Sequence, residues 1–307
     1  MSAAGQKLSK PVCITYSGGW LAGPSVMEAE TNPHLQCFQS IDRCFATLAA
    51  WHKRDDRLMI EEKTGPRKLT RISPADAAAS AGKLIAASHN SVLTEREAKQ
   101  VLAAYGVPVV QEHLVQSAVA AANAAQTLGF PVALKVESPD LPHKTEAGVI
   151  RLNLKTADEV KSAYDAVMAN AGKMSPKPHI NGVLVQPMVP AGVEIMIGAR
   201  VDPQFGPLIV VGLGGIFVEL LKDTALELAP VTRMEAISML HKLKGRTLLD
   251  GFRGSAPAHL DALADVIVRL SEFIADQQDR ITELDVNPLI CTGDRVIAVD
   301  ALIVRAA

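Results

Sequence analysis

Aromatic side chains are scarce in this chain: seven Phe, three Tyr and two Trp, 4% of its 307 residues. So few rings leave little material for the base-stacking platforms that single-stranded nucleic acids need. A charge excess is missing too, since 31 Lys and Arg face 33 Asp and Glu, a net −2. That balance removes the electrostatic case for nucleic acid or an anionic membrane surface. The four cysteines, Cys13, Cys37, Cys44 and Cys291, form no CxxC pair and no metal-finger spacing. They read as small buried hydrophobes in a reducing compartment. Neither a run of about 20 apolar residues nor a signal-peptide core is present, so a cytoplasmic protein without membrane contact is expected. A P-loop, GxxxxGK followed by Ser or Thr, is absent as well.

What remains is an ordinary globular balance, 48% apolar and 21% charged, with room for two or three compact units. Residues 11–16 and 33–38 read as short strands, and Ile41, Cys44, Phe45, Leu48 and Trp51 mark a helix over 40–53. These one or two β-α steps are too few for a stable sheet and look like the end of a larger α/β domain. Residues 55–69 are charged without periodicity and 73–87 are Ala- and Ser-rich, which reads as a tether with some helical content, the alternative being an ordinary helix packed on the body. From residue 89 onward strands and helices alternate. Thr94 and Glu97 form a capping box for a helix over 95–105, and Thr156 caps another over 157–170. Strands are predicted over 131–137, 149–154, 183–187, 193–201 and 207–213, with helices near 233–244 and 259–277. The pattern suggests an α+β lid followed by a larger subdomain.

Chemistry concentrates at a few points. Glu283, Asp285 and Asn287 alternate along a strand and so share one face. Gly293-Asp294 signals a two-residue hairpin turn, whose register sets Asn287 opposite Asp300. Two anions about 4 Å apart cost roughly 4 kcal/mol at an effective dielectric of 20. The cluster therefore asks for a counter-charge, either a hard cation such as Mg²⁺ or a nearby base, of which Arg253 is the obvious candidate. Pro288 cannot donate to a ladder, so irregular pairing is expected there. Lys135 lies inside the apolar run 132–136, a costly place unless an anion such as phosphate compensates it or the strand is an edge and the lysine snorkels outward. The loop that follows, 138–148, holds His143 and Lys144. Its backbone N–H groups and Lys144 are candidate phosphate donors, and His143 is either a phosphoryl or proton acceptor or a solvent-facing loop residue. Gly212, Gly214 and Gly215 end a strand, but the dinucleotide pattern GxGxxG fails because residue 217 is Phe. Glu194 and Glu219 flank this turn, within reach of a ribose or a metal, or are simply exposed carboxylates.

Residues 89–307 resemble the ATP-grasp domain of ADP-forming acyl-CoA synthetases, relatives of succinyl-CoA synthetase. The resemblance rests on LTEREAKQVLAAYGVPV, ALKVESPDLPHKTEAGVIRLNL, VLVQPMVPAGVEIMIGARVDPQFGPLIVVGLGGIFVELLKD and ELDVNPL followed by Asp300. PVCITYSGGW and CFQSIDRCFATLAAWHKR are similar to the tail of the family's flavodoxin-like CoA-ligase domain. The implied fold is α/β and α+β: an ATP-grasp domain of two subdomains, lid 110–185 and C-terminal 186–307. Before it come a linker at 73–88 and a flavodoxin-like β-α remnant at 1–72. The implied cofactors are ATP or ADP and Mg²⁺. Lys135 matches the strand lysine that holds ATP phosphates, and Glu137 closes the same strand within the nucleotide group. Val185, Gln186, Pro187 and Met188 match the adenine hinge, and Glu194 the ribose carboxylate. Gly214, Gly215 and Glu219 complete the nucleotide set. Asn287 and Asp300 match the metal pair, and His143, with Lys144 beside it and Arg253 in the catalytic group, matches the phosphoryl relay.

Two departures stand out. Ala147-Gly148 stands where many members have two glycines, and the CoA-binding domain and the segment carrying the main phosphohistidine are absent. The resemblance thus implies the nucleotide part of an acid–thiol ligase, a subunit or fragment that forms an oligomer with a CoA-binding and CoA-ligase partner. Small carboxylic acid and CoA would be substrates of the full enzyme. The alternatives are a stand-alone carboxylate–amine ligase acting through acyl-phosphate, and a non-catalytic nucleotide-binding subunit.

Overall fold

A computed structural model describes residues 7, 10–15, 31–65, 67–141, 148–215, 223–251 and 256–306, in two compact units, Met1–Lys68 and Leu69–Ala307. In the first unit β1 (Val12–Thr15) and β2 (Leu35–Phe38) pair in parallel, and helix α1 (Ile41–Thr64) follows. Ser40 caps α1 by accepting from the Arg43 N–H at 3.2 Å. The helix runs eleven residues past the expected end at 53, through the charged stretch, and stops at Gly65 with φ of 83°. Lys, Arg, Glu, Leu and Met are good helix formers, so loss of apolar periodicity did not end it; a glycine did.

The second unit carries two sheets. The smaller is four-stranded, in the order β3 (His113–Val115), β6 (Gly182–Pro187), β4 (Val132–Glu137), β5 (Ile150–Leu154), antiparallel throughout. Helices α4 (Ala118–Leu128) and α5 (Ala157–Gly172) pack on one face, where Val132, Leu134, Val136, Val183 and Val185 meet Ala121, Ala125, Val160 and Val167. Ser117 and Thr156 cap them, Thr156 at the end the sequence marked. This is the small lobe.

The larger sheet runs β11 (Val296–Ala298), β10 (Ile281–Cys291), β7 (Val193–Asp202), β8 (Gly206–Leu213), β9 (Thr224–Leu228), with β12 (Ala301–Arg305) also on β10. Strand β9, too short and mixed to show a period, was not expected. Helices α2 (Ala77–Ala87), α3 (Glu95–Ala104), α6 (Arg233–Lys242) and α7 (Leu260–Asp276) contribute to the core over this sheet. Residues 73–88 thus hold a packed helix rather than a tether: Ala77, Ala81 and Ile85 are buried in that core. Its entry is held by the Glu272 carboxylate, which accepts from the Ile72 and Ser73 N–H groups at 2.9 and 3.0 Å. Arg71 pairs with Asp276 at 2.7 Å beside it.

Candidate functional site

Strand β4 is buried along its length, with its two faces chemically opposite. Val132, Leu134 and Val136 enter the small-lobe core, so Lys135 and Glu137 must face the other way. There they meet the first turn of α3, held in place by the capping box of Thr94 and Glu97. Lys135 Nζ donates to Glu95 Oε1 at 2.7 Å, and Asp300 Oδ2 lies 3.5 Å away. Burial by itself pushes Lys135 down, but Glu95 first and then Asp300 more than offset it and hold the ammonium above the ordinary lysine range. Glu137 is turned onto α3, accepting from Arg96 Nε at 3.2 Å and from the Thr94 hydroxyl at 3.1 Å.

The partner surface is the hairpin. Thr292 closes the turn, donating its N–H to the Arg295 carbonyl at 2.9 Å and accepting from the Arg295 N–H through its hydroxyl at 3.3 Å, which leaves Gly293 and Asp294 as the loop. The register then runs through Cys291 opposite Val296 and Leu289 opposite Ala298, and continues to Val286 opposite Ala301. Asn287 sits opposite Asp300, its N–H donating to the Asp300 carbonyl at 3.2 Å. Pairing with β7 slips between Val286 and Leu289, around Pro288, which has no N–H to give. Leu284 and Val286 are core residues, which leaves Glu283, Asp285 and Asn287 on the face away from the core. Burial, then Glu283 and Asp300, push the Asp285 carboxyl up to about 6.

Among the described residues no cluster of three His, Cys, Asp or Glu side chains can hold a metal unaided. The donors at the hairpin are nevertheless hard oxygens, and the raised Asp285 marks a surplus of negative charge. Asn287 and Asp300 are the donor type that Mg²⁺ takes, so these residues fit such an ion.

The other expected residues fall as follows. Gln186 is buried, with its Oε1 3.4 Å from Lys99 Nζ. Val185 points its side chain into the small-lobe core, Pro187 pairs with Val132, and the Met188 N–H donates to the Pro131 carbonyl at 2.9 Å. Only main-chain groups of Val185 therefore remain for a ligand. Glu194 is exposed on β7, and the Gly214 N–H donates to its carbonyl at 2.6 Å. A Cβ on Gly214 would lie 2.8 Å from Glu194 Cβ, and Gly215 has φ of +65° with Glu194 Oε2 3.2 Å from where a Cβ would stand. Glycine at both positions thus serves close packing and a turn. His143, Lys144, Glu219 and Arg253 lie outside the described residues. Of the described residues on either side, Asp140 accepts from the His179 N–H at 2.7 Å, and Asn170 donates to the Gly148 carbonyl at 2.9 Å.

Sequence reading missed the carboxylates and lysine behind Lys135. Glu95 and Lys99 stand at i,i+4, and both are buried on α3 together with Ala98, Val101 and Leu102. That shared spacing was the available signal.

Two lobes thus bring a buried lysine and an acidic hairpin to within 3.5 Å of each other. The ATP-grasp domain model matches residues 84–304, and the chain belongs to the ATP-grasp family, in the branch of ADP-forming acyl-CoA synthetases. It is 40% identical over 222 residues to the acetate–CoA ligase [ADP-forming] II subunit beta of Pyrococcus furiosus, covering 72% of this chain and 94% of that one. Its fold is similar to a Ca. Korarchaeum cryptofilum dinucleotide-forming acetyl-coenzyme A synthetase 1 in complex with coenzyme A and Ca-AMPCP. The TM-score is 0.68 at 35% identity, covering 82% of this chain and 99% of that one. Another structure of that synthetase, with Mg-AMPPCP and a phosphohistidine segment pointing towards the nucleotide site, matches at TM-score 0.62 and 38% identity. It covers 70% of this chain and 93% of the other.

Proposed function

We propose that this chain is the nucleotide-binding, phosphoryl-transferring part of an ADP-forming acyl-CoA synthetase, which converts acid, CoA and ATP to acyl-CoA, ADP and phosphate. The observation that carries the reading is Lys135 of the small lobe aimed at Asp300 of the hairpin, 3.5 Å apart across two sheets. The relatives' names and their bound nucleotide analogues support it.

In this reading Lys135 exchanges a carboxylate contact for phosphate oxygens, a point-charge contact that needs no special geometry. Asn287 and Asp300 would hold Mg²⁺, which would supply positive charge to offset that of the phosphates. The hinge at Val185, Gln186, Pro187 and Met188 receives the base, and Glu194 the ribose. Gly214, Gly215 and Glu219 line the turn beside them. His143 attacks the γ-phosphorus through a ring nitrogen; the P–N bond forms as the bond to the β-phosphate oxygen breaks, and ADP leaves. Lys144 and Arg253 steady the transferring group. The phosphoryl then passes to a CoA-binding and CoA-ligase partner, in a cytoplasmic oligomer. Residues 1–72 are the remnant of a flavodoxin-like CoA-ligase domain, in keeping with the parallel β1–β2 pair and the helix that follows.

Calorimetric titration with Mg-ADP should show one site on the full chain; a folded chain that binds no nucleotide defeats the reading. Incubation with γ-labelled ATP should give an acid-labile, base-stable label that is lost in His143→Ala. Label that survives in this variant removes His143 from the relay.

A further inference from the structure

Lys99 is only 1% exposed, yet its ammonium serves four acceptors on four different parts of the second unit. Glu95 Oε1 is 2.8 Å away on its own helix, and Glu112, in the segment leading to β3, pairs with it directly. Gln186 Oε1 on β6 lies at 3.4 Å and the Val299 carbonyl, between β11 and β12, at 3.3 Å. An ammonium has three protons, so four acceptors share them and each constrains the others.

Every one of those acceptors adjoins a residue of the nucleotide site. Glu95 Oε1 is the same atom that accepts from Lys135. Gln186 is a hinge residue, and Val299 precedes Asp300. Glu112 precedes His113, which pairs with Val185 in the small-lobe sheet. Lys99 is therefore the one described side chain tied at once to the lysine's counter-ion, the hinge and the hairpin.

Stability alone gives little reason for such a cluster. Two buried lysines among Glu95, Glu112 and Asp300 recover in attraction roughly what their desolvation costs, and apolar side chains of like volume commonly do as well or better. Burial, opposed by Lys99, leaves the Glu112 carboxyl raised above the ordinary range. What apolar packing lacks is direction: it fills the space without stating where Gln186 Oε1 and the Val299 carbonyl must stand. We propose that Lys99 is a positioning residue, which sets the small-lobe hinge against the hairpin and keeps Glu95 aimed at Lys135 without touching the nucleotide. This rests on the nucleotide-site reading above.

The test compares the full wild-type chain with Lys99→Met/Glu112→Gln, which removes a cation and an anion together, and with Lys99→Arg, which keeps the charge but changes the reach. Thermal unfolding reports the fold, and calorimetry with Mg-ADP reports affinity. The double variant should melt within a few degrees of wild type while its Kd for Mg-ADP rises about tenfold or more. Lys99→Arg should fall between, and in the complete enzyme the loss should appear in KM for nucleotide rather than in kcat. Folded variants with wild-type Kd overturn the proposal and leave the nucleotide site standing. If the double variant does not fold, the folded Lys99→Arg chain decides by the same criterion. A wild-type chain that ignores Mg-ADP overturns the underlying reading, and this inference with it.

Discussion

Strands β4 and β10 both show an apolar face to a core and an ionised face to the space between the lobes, but they settle their charge differently. On β4 each ion is answered within the chain: Lys135 by Glu95 and Asp300, Glu137 by Arg96. On β10 Asp285 has no cation at ion-pair distance among the described residues, and its neighbours Glu283 and Asp300 only add negative charge. The first strand is organised before any ligand arrives. The second keeps a surplus that suits a cation brought from outside. In the proposed site, a lysine and a divalent ion would share one phosphate group because the protein compensates its own cation and leaves its own anions in excess.

Four experiments break or sharpen that contrast. Leu134→Ala, on the apolar face of β4, should cost about 3 kcal/mol in urea unfolding, because its buried site cannot collapse around the loss. Affinity of the folded fraction for Mg-ADP should hardly change; a large loss there would mean the two faces are not separable. One residue along, Lys135→Met should leave a folded chain whose Mg-ADP affinity falls about 100-fold, near 2.7 kcal/mol. Equal affinity in that variant would end the proposed role of the charged face.

The third concerns pH in EDTA-treated protein. Asp285 titrates at about 6 in the folded chain against 3.8 as the ordinary value. A raised carboxyl favours the folded state while protonated, so its contribution is full below about pH 4 and is lost as pH rises through about 6. Asp285→Asn should remove that decline from a plot of urea midpoint against pH, and an unchanged slope would place the surplus charge elsewhere. The smallest effect is expected of Thr94→Ala, about 1 kcal/mol for the lost helix cap. Since the Thr94 hydroxyl also donates to Glu137, a cost well above that would show that β4 and α3 are coupled through the cap.

Local signals carried much of the fold. The capping box of Thr94 and Glu97, the cap at Thr156 and the two-residue turn at Gly293-Asp294 each act through neighbours a few residues away, and each stands where it was read. Hairpin register followed from the turn alone, which is why Asn287 and Asp300 were legible as a pair. Helix α2 was not, because its burial depends on contacts far along the chain, such as Glu272 on the Ile72 and Ser73 N–H groups and Gln277 on the Ala78 carbonyl. Alanine and serine rows look alike whether they pack closely or hang in solvent.

The sequence by itself determined most of the strands, the caps at Thr94 and Thr156, the hairpin register and the oddity of a lysine in an apolar run, since periodicity and turn chemistry act over short stretches. Only tertiary structure decided that Lys135 would point at Asp300, that Glu137 would turn to Arg96, and that Lys99 would be buried among four acceptors. Those facts depend on how one sheet is set upon another, and charges buried across such a junction have no local pattern to announce them.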